Sequence, residues 1–389
     1  MSVTIHEQPN NYDISGNPLI WVFSSNQTGQ ANFSFQIEVS INGVLKETHK
    51  IFPESGDRAH FNASDIAERN ASIPSLEDTV NYDAKDYIED LDVNITESYG
   101  TPPVNYPDDG ASSKRIVVKG KQRKRDFISY NSADYIFGND KLWLTKFPRS
   151  EKRYINLDND NKFSYFTNSQ TITTQITLYD SSGGVIDQAF IPPSAQTEVS
   201  ISNINETVLL SDYGFGQADI DSTSYLTIKW YDNFGLLGDG ELLTLWIDDR
   251  CLASTSKHIL FMNTLGGLEP YTFTKRSKEE AKITSKGIEK NFGYFDDSSN
   301  WDFSLGGNVD FLKVIDNSLI LQTDYIPEDE YNWLVKELFS SPVVYLYEDG
   351  GLTPIKVTNS KYQFKTSEND MIFKLTANFE RERDASTNV

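Results

Sequence analysis

The sequence predicts a mainly β protein, with two tandem β-sandwich domains followed by a smaller α+β domain in which one helix packs on β-hairpins. Three observations favour this fold class: strict apolar–polar alternation near the N-terminus, its return in the middle of the chain, and a single helical periodicity near the C-terminus. The 389 residues are enough for two or three domains of ordinary size.

The first sandwich is predicted over residues 1–135. From Phe33 to Ile41 every second residue is apolar and the residues between are polar, which is typical of a half-buried strand. Asn42-Gly43 follows, and this dipeptide is typical of a two-residue hairpin turn. A strand, a hairpin and a returning strand are therefore expected over residues 33–66.

The second sandwich is predicted over residues 136–250, because the first pattern recurs there. Residues 171–204 repeat the strand, glycine turn, strand and proline corner of residues 33–66, and residues 225–238 resemble residues 91–104. The offset is about 135 residues in both cases, so we interpret the two regions as a possible domain duplication.

A long charged arm is predicted over about residues 76–127 of the first domain. Its first part is rich in carboxylates, and residues 99–113 are rich in proline, glycine and serine, which is typical of a loop. Its last part reverses the charge with seven basic residues, Lys114, Arg115, Lys119, Lys121, Arg123, Lys124 and Arg125.

Three interpretations of this basic segment stay open: a solvated strand or loop, a contact for an acidic protein surface, and a nucleic-acid contact. Residues 115–118 have the composition of a strand, and no aromatic residues are interleaved as stacking platforms for bases. We take the seven basic residues as candidate protein-contact residues.

The α+β domain is predicted over residues 251–389, with a helix at 327–340. Pro327 suits a first helical turn, and the three acidic residues that follow favour the positive end of the helix dipole. Four apolar residues recur at the spacing of one helical face: Tyr331, Leu334, Val335 and Leu338. A hairpin turning at residues 349–351 and a second, C-terminal hairpin complete this domain.

Composition excludes several classes of protein. The formal net charge of −22 disfavours non-specific binding to nucleic acid or to anionic membranes. One cysteine, Cys251, allows no intrachain disulfide. The N-terminal residues lack the pattern of a signal peptide, and no apolar run of about 18 residues occurs. We therefore expect a protein that stays in the cytosol or is assembled there into a larger particle.

The sequence offers no constellation for catalysis. The four histidines are not spaced as metal ligands, and no phosphate-binding glycine loop precedes a helix. Residues 156–163 resemble the start of a calcium loop, but Lys162 stands at a ligand position. The Gly266-Gly267 pair is predicted to form a tight connection between two strands. We predict no enzyme activity, no cofactor and no metal site.

Two segments carry a family resemblance. The stretch ILFMNTLGGLEPYTF at 259–273, and the C-terminal part with Trp333-Leu334, SPVVY at 341–345 and LTANFE at 375–380, resemble a domain of tail and other virion structural proteins of phages that infect Bacteroidetes. Residues 17–44 are similar to the sandwich that opens the same proteins. The segment at 76–127 has no counterpart in this resemblance.

The resemblance implies a ring-forming tail or neck/adaptor protein of a virion that is assembled in the host cytoplasm. The implied partners are copies of itself and other virion proteins of the tail, portal or neck, with contacts that close by cyclic symmetry. The alternative is a glycan-binding module at the tail tip, for which Trp230, Trp246 and Trp301 are candidates. These tryptophans can equally belong to the core, which the alternation favours for the first two.

Overall fold

A computed structural model describes residues 2–54, 57–72, 88–135, 143–156, 161–167, 173–191, 200–205, 214–232, 235–236, 242–248, 256–290, 294–295, 297–298, 301–302, 307–348, 350–359, 372–381 and 384–388. The protein is mainly β, as the sequence predicts. It divides into two compact units: residues 1–248 with 262–270, and residues 249–261 with 271–389. Cys251 lies outside the described residues.

The first unit begins with eight strands and two short helices. The strands are β1 (Val3–Glu7), β2 (Tyr12–Ile14), β3 (Ile20–Ser25), β4 (Ser34–Ile41), β5 (Val44–Ile51), β6 (Arg58–Asn62), β7 (Ile88–Tyr99) and β8 (Val104–Val118). The helices are α1 (Ser64–Asn70), which follows β6, and α2 (Lys124–Phe127), which follows β8; a 3₁₀ turn follows at Ser132–Tyr135.

These strands form two sheets that share one core. The three-stranded sheet has the order β1-β3-β6, and the five-stranded sheet has the order β2-β8-β7-β4-β5. Trp21 and Phe23 from the first sheet pack with Phe35, Ile37 and the other alternating apolar residues of the second. We call these two sheets the first sheet pair. At the predicted β4–β5 turn, Asn42 and Gly43 both have positive φ, as a type I′ turn requires.

The predicted arm is in part a pair of long strands. Residues 88–99 and 104–118 are β7 and β8, which pair along their length inside the five-stranded sheet. Of the residues expected to form a loop, residues 100–103 form the turn between β7 and β8, and residues 107–110 form a bulge. The bulge lies between two pairs of residues, Glu97 with Tyr106 and Ile95 with Ala111. Residues 76–87 of the predicted arm lie outside the described residues.

The first unit continues with a second set of strands. They are β9 (Arg153–Ile155), β10 (Lys162–Thr167), β11 (Thr173–Tyr179), β12 (Val185–Ile191), β13 (Ser200–Asn205), β14 (Tyr225–Asp232), β15 (Gly235–Leu236) and β16 (Leu243–Ile247), with helix α3 (Gln217–Ser222) before β14. Strands β10 and β13 pair with each other, and a six-stranded sheet has the order β12-β11-β14-β16-β9, with β15 beside β14. Phe163 of β10 packs with the apolar side chains of that larger sheet. We call these two sheets the second sheet pair.

The larger sheets of the two pairs have the same order of strands. Each begins with an antiparallel hairpin, β5-β4 or β12-β11, and each ends with a short strand that pairs in parallel, β2 on β8 or β9 on β16. Both hairpins also carry a bulge close to the turn, after Val39 in β4 and after Leu178 in β11. The sheets therefore agree in order, strand sense and register.

The second unit is built around one large sheet. Its strands are β17 (Lys257–Met262), β18 (Leu268–Phe273), β19 (Lys278–Lys290), β22 (Gly307–Gln322), β24 (Val344–Glu348), β25 (Gly351–Val357), β27 (Thr376–Glu380) and β28 (Asp384–Asn388), and the remaining short strands are β20 (Tyr294–Phe295), β21 (Trp301–Asp302), β23 (Ile326–Pro327) and β26 (Ile372–Phe373). The sheet order is β18-β17-β24-β25-β27-β22-β19, with β28 also on β22.

Helix α4 (Glu328–Glu337) lies within the helix predicted at 327–340. The four residues predicted to form its inner face, Tyr331, Leu334, Val335 and Leu338, are all buried. Pro327 precedes the helix, and its first turn carries the acidic residues that favour a helix N-terminus.

Candidate protein-contact surfaces

The structure disperses the basic residues predicted at 114–125. Arg115 is buried, and its Nε donates to the carbonyl of Pro9 at 2.8 Å. Burial lowers the pKa of Arg115, because it removes water from the charged guanidinium. Lys114 pairs with Asp90 at 2.6 Å across strands β8 and β7. Both residues lie in the first sheet pair, where Arg115 is buried and Lys114 is exposed.

The next two lysines, Lys119 and Lys121, follow β8 and contact helix α1. Lys119 Nζ donates to the backbone carbonyl of Glu68, which lies in the last turn of the helix, where cations are favoured. Lys121 Nζ lies 2.9 Å from the Glu68 carboxylate. Glu68 thus accepts from both lysines, through its backbone and its side chain.

Helix α2 and the residue after it carry exposed residues of the basic segment, in addition to the exposed Lys114 and Lys121. Lys124 and Arg125 are exposed, and Ile128 is 84% exposed. Arg123 is half-buried. Cations beside an exposed aliphatic side chain are suited to an acidic protein surface, so Lys124, Arg125 and Ile128 are compatible with the predicted contact.

A larger exposed surface lies outside the segment that the sequence predicts as a contact. Strands β19 and β22 pair over thirteen residues of β19, from Lys278 to Lys290. Every described side chain of β19 is exposed, and Ile283 and Ile288 are 64% and 53% exposed. Strand β19 is also the last strand of its sheet, so one of its backbone edges has no neighbouring strand among the described residues. We call β19 together with its partner β22 the ribbon; β22 also pairs with β27 and β28.

One face of β19, which we call the basic face, carries three lysines and one acidic residue, Glu280. Lys278, Lys282 and Lys286 are four residues apart, and residues at even spacing share one face of a strand. Their partners across the ribbon are Ile320, Asp316 and Leu312. Lysines on an edge strand oppose uncontrolled strand pairing, while an exposed apolar residue such as Ile283 favours a specific contact.

The glycan-binding alternative rests on exposed tryptophans, and Trp246 does lie outside the core. It is half-buried on the outer face of the six-stranded sheet, so the core interpretation is wrong for this residue. The side chains of Trp230 and Trp301 lie outside the described residues.

Trp246 belongs to an aromatic row across the six-stranded sheet. The ring centroids of Tyr179 and Tyr225 are 4.7 Å apart with nearly parallel planes, and those of Tyr225 and Trp246 are 4.6 Å apart. Lys152 Nζ lies 3.6 Å from the Trp246 ring centroid. Sugars stack on open ring faces, and here Tyr225 and Lys152 already contact the Trp246 ring. The row therefore gives no support to the glycan-binding alternative.

The Gly266-Gly267 turn is a structural connection, as predicted. Gly266 has φ +90°, and a Cβ atom there would lie 2.5 Å from the Lys119 carbonyl oxygen. A Cβ atom on Gly267 would lie 2.7 Å from the Leu144 carbonyl oxygen. The Thr264 carbonyl also accepts from Lys121 N at 3.1 Å and from Gln122 Nε2 at 3.1 Å. Glycine is required because backbone approaches the turn on both sides.

One acidic side chain in the first unit has a strongly shifted pKa. Asp13 in β2 is buried, and burial raises its pKa to about 6, although hydrogen bonds from Ile14 N and Asn17 act in the opposite direction. Tyr12 and Tyr130 lie close by, and burial raises the pKa of both phenols. The group has the character of a buried structural cluster.

Ligand chemistry has little support in the part of the chain that the structure describes. No group of three or more His, Cys, Asp or Glu residues there is placed to hold a metal ion. Residues 157–160 of the calcium-loop segment lie outside the described residues. Within the described ranges, no helix is long and apolar enough to cross a membrane.

Comparison with known proteins adds no assignment. The chain matches no protein-family model, and no curated protein is similar to it.

Proposed function

We propose that the chain is a structural component of a phage virion, a ring-forming tail or neck/adaptor protein that works through protein–protein contacts. In this proposal two tandem β-sandwiches precede an α+β domain, and the second sandwich arose by duplication of the first. The shared strand order of the two larger sheets supports the duplication. The partners are copies of the chain and other virion proteins, and assembly takes place in the host cytoplasm.

The observation that carries the proposal is the exposed ribbon. An edge strand has unpaired backbone groups along one side, and a neighbouring strand or surface that covers this side satisfies them. Strand β19 exposes all its described side chains, including Ile283 and Ile288. A protein that assembles with copies of itself would cover such a strand, and the lysines of the basic face would then meet the acidic surface of a neighbour.

The test is the mass of the purified chain by light scattering over a range of concentrations, with electron microscopy of any oligomer. We expect a discrete oligomer in wild type and its loss in the double variant Ile283→Asp, Ile288→Asp. Both side chains are exposed, so the fold should be retained, which circular dichroism would check. Val185→Asp is the matched control, because Val185 is comparably exposed in another sheet.

A chain that stays monomeric at all concentrations, alone and with virion extracts, would contradict the proposal. An oligomer that survives the double variant would contradict the role of the ribbon in it.

The remaining basic contact is tested separately by Lys124→Glu with Arg125→Glu. If these exposed cations meet an acidic neighbour, the double reversal weakens the oligomer, and the loss is greatest at low salt. Lys46→Glu on β5 is a control of the same charge change, because Lys46 is also exposed.

A further inference from the structure

A cleft in the second sheet pair has the size of a ligand site. It has a volume of about 550 Å³ and lies between residues 143–153 and strand β16. This volume is within the range of about 300–1,000 Å³ that is usual for ligand sites. Its apolar lining includes Phe147, Leu242 and Trp246, and its cations are Arg149, Lys152 and Arg153, with Glu151 as the acidic residue.

Two of these side chains are held in place by packing. Arg153 is only 6% exposed, and its guanidinium lies between the rings of Phe147 and Phe163, 5.1 and 4.6 Å from their centroids. Trp246 is held by its contact with Tyr225. Lys152, by contrast, is exposed and covers the Trp246 ring, so an acidic group could draw it aside.

The sheet order shows why the cleft is unusual. In the first sheet pair, the residues before β2 are bonded directly to β8: Gln8 accepts from Ser113 at 3.0 Å, and Pro9 accepts from Arg115. In the second sheet pair, the residues before β9 form one wall of the cleft, and β16 forms the other. The residues before the short parallel strand are thus bonded to the neighbouring strand in the first sheet pair, whereas in the second sheet pair the cleft separates them.

The chain carries a segment whose chemistry matches this cleft. The tip between β7 and β8 contains Pro102, Pro103 and Val104, all exposed, with exposed Asp108 a few residues further on. Val104 is 54% exposed. The base of the tip is braced by Tyr99 and Tyr106, whose rings stack at 4.2 Å. The tip is thus a proline-rich, apolar and acidic projection.

We propose that the β7–β8 tip of one copy, residues 100–108, docks in the Trp246 cleft of a second copy. Proline rings on an ordered turn can pack against the aromatic and apolar side chains of a groove, and a segment that is already ordered loses little entropy on binding. Asp108 would meet the cations of the cleft rim, which are a local basic patch on a chain of net charge −22. Because the tip and the cleft are different surfaces, the contact is head-to-tail and can close into a ring.

This inference rests on the proposed function, since it names one contact through which copies would join. The test is cross-linking between two full-length chains in which Cys251→Ser removes the native thiol. One chain carries Val104→Cys and the other carries Leu242→Cys, at the rim of the cleft. A short bis-maleimide reagent is added to the mixture, and cross-linked dimer is measured on a denaturing gel. Val185→Cys replaces Leu242→Cys in the control, because Val185 is also exposed.

We expect cross-linking of Val104→Cys to Leu242→Cys at least about fivefold above the control pair. Adding Lys152→Glu to the cleft chain should lower the yield about fivefold, whereas Lys46→Glu should leave it unchanged. Equal yields for the Leu242→Cys and Val185→Cys pairs would overturn the inference, as would a yield insensitive to Lys152→Glu.

Light scattering on the same samples separates this result from the proposed function. An oligomer without the specific cross-link would overturn the tip–cleft contact alone. Absence of both the oligomer and the cross-link, in samples with and without virion extracts, would overturn both proposals.

Discussion

The two larger sheets of the first unit agree in strand order and bulge position, yet their outer faces differ. Counted from the bulge, equivalent positions across three neighbouring strands are occupied by Ser40, Asp92 and Lys114 in one sheet and by Tyr179, Tyr225 and Trp246 in the other. The inner faces are apolar in both. The core therefore constrains the order of the strands, while the outer row is available for contacts that distinguish the two sheets.

The short parallel strands at the ends of these sheets differ in buried charge. Strand β2 buries an acid, Asp13, and strand β9 buries a base, Arg153. Arg153 Nη2 lies 3.8 Å from a carboxylate oxygen of Glu269, which is 1% exposed. Arg115, the buried arginine of the first sheet pair, donates to a neutral backbone carbonyl instead. Asp13, Arg153 and Arg115 thus place buried charges in three different surroundings.

The largest effect is expected from Arg153→Met. Removing the guanidinium leaves the Glu269 carboxylate buried with its cation lost, which costs about 3–5 kcal/mol of unfolding free energy. Arg115→Met leaves only two neutral backbone carbonyls, those of Pro9 and Lys114, to be satisfied, so we expect about 1–3 kcal/mol. Urea unfolding of both variants measures the difference. The double variant Arg153→Met, Glu269→Leu should recover much of the loss, and equal losses for the two single variants would contradict this account.

The next effect concerns Asp13 and pH. Its folded pKa of about 6 is above the ordinary value of 3.8, so protonation favours the folded state. The stabilisation is complete below about pH 4 and is lost as pH rises through about 6. Asp13→Asn should therefore be more stable than wild type by about 2–3 kcal/mol at pH 8, at 1.36 kcal/mol per pKa unit, and nearly equal to it at pH 4. Urea unfolding at both pH values checks this, and a gap independent of pH would refute it.

The smallest effect compares Trp246→Ala with Lys114→Ala at equivalent positions. Loss of the Trp246 ring removes its stacking with Tyr225 and its contact with Lys152, for about 1–3 kcal/mol. Lys114→Ala removes a largely exposed ion pair, which contributes about 0–1 kcal/mol. Thermal unfolding of both variants gives the ranking, and the reverse ranking would show that the aromatic row adds little.

The sequence predicted those strands and helices that bury one face, because burial on one face produces a regular spacing of apolar residues. The β4–β5 hairpin followed from alternation and Asn42-Gly43, and helix α4 followed from apolar residues at helical spacing. The part of strand β8 up to Ser113 was expected to be a loop because it contains Pro107 and Gly110. Both residues lie in its bulge, where a Cβ atom on Gly110 would be 2.8 Å from the Ile95 carbonyl oxygen. That close approach depends on a distant strand, so local composition does not reveal it.

The contact surfaces were harder to predict for two physical reasons. The burial of Arg115 depends on Pro9, which is 106 residues away in sequence. The ribbon strand β19 is exposed on both faces, so it lacks the apolar alternation that predicts a half-buried strand. A charged run is therefore a poor guide to a contact surface unless the pairing of its strand is known.

The common strand order also bears on how the chain folds. Two neighbouring sheets with the same order can exchange equivalent hairpins during synthesis, which is a known cause of misassembly in proteins with repeated domains. The unlike outer rows oppose such exchange, because a strand carrying Lys114 placed beside Tyr225 would lose its ion pair with Asp90. The divergence of the two faces thus helps each hairpin to find its own sheet as the chain leaves the ribosome.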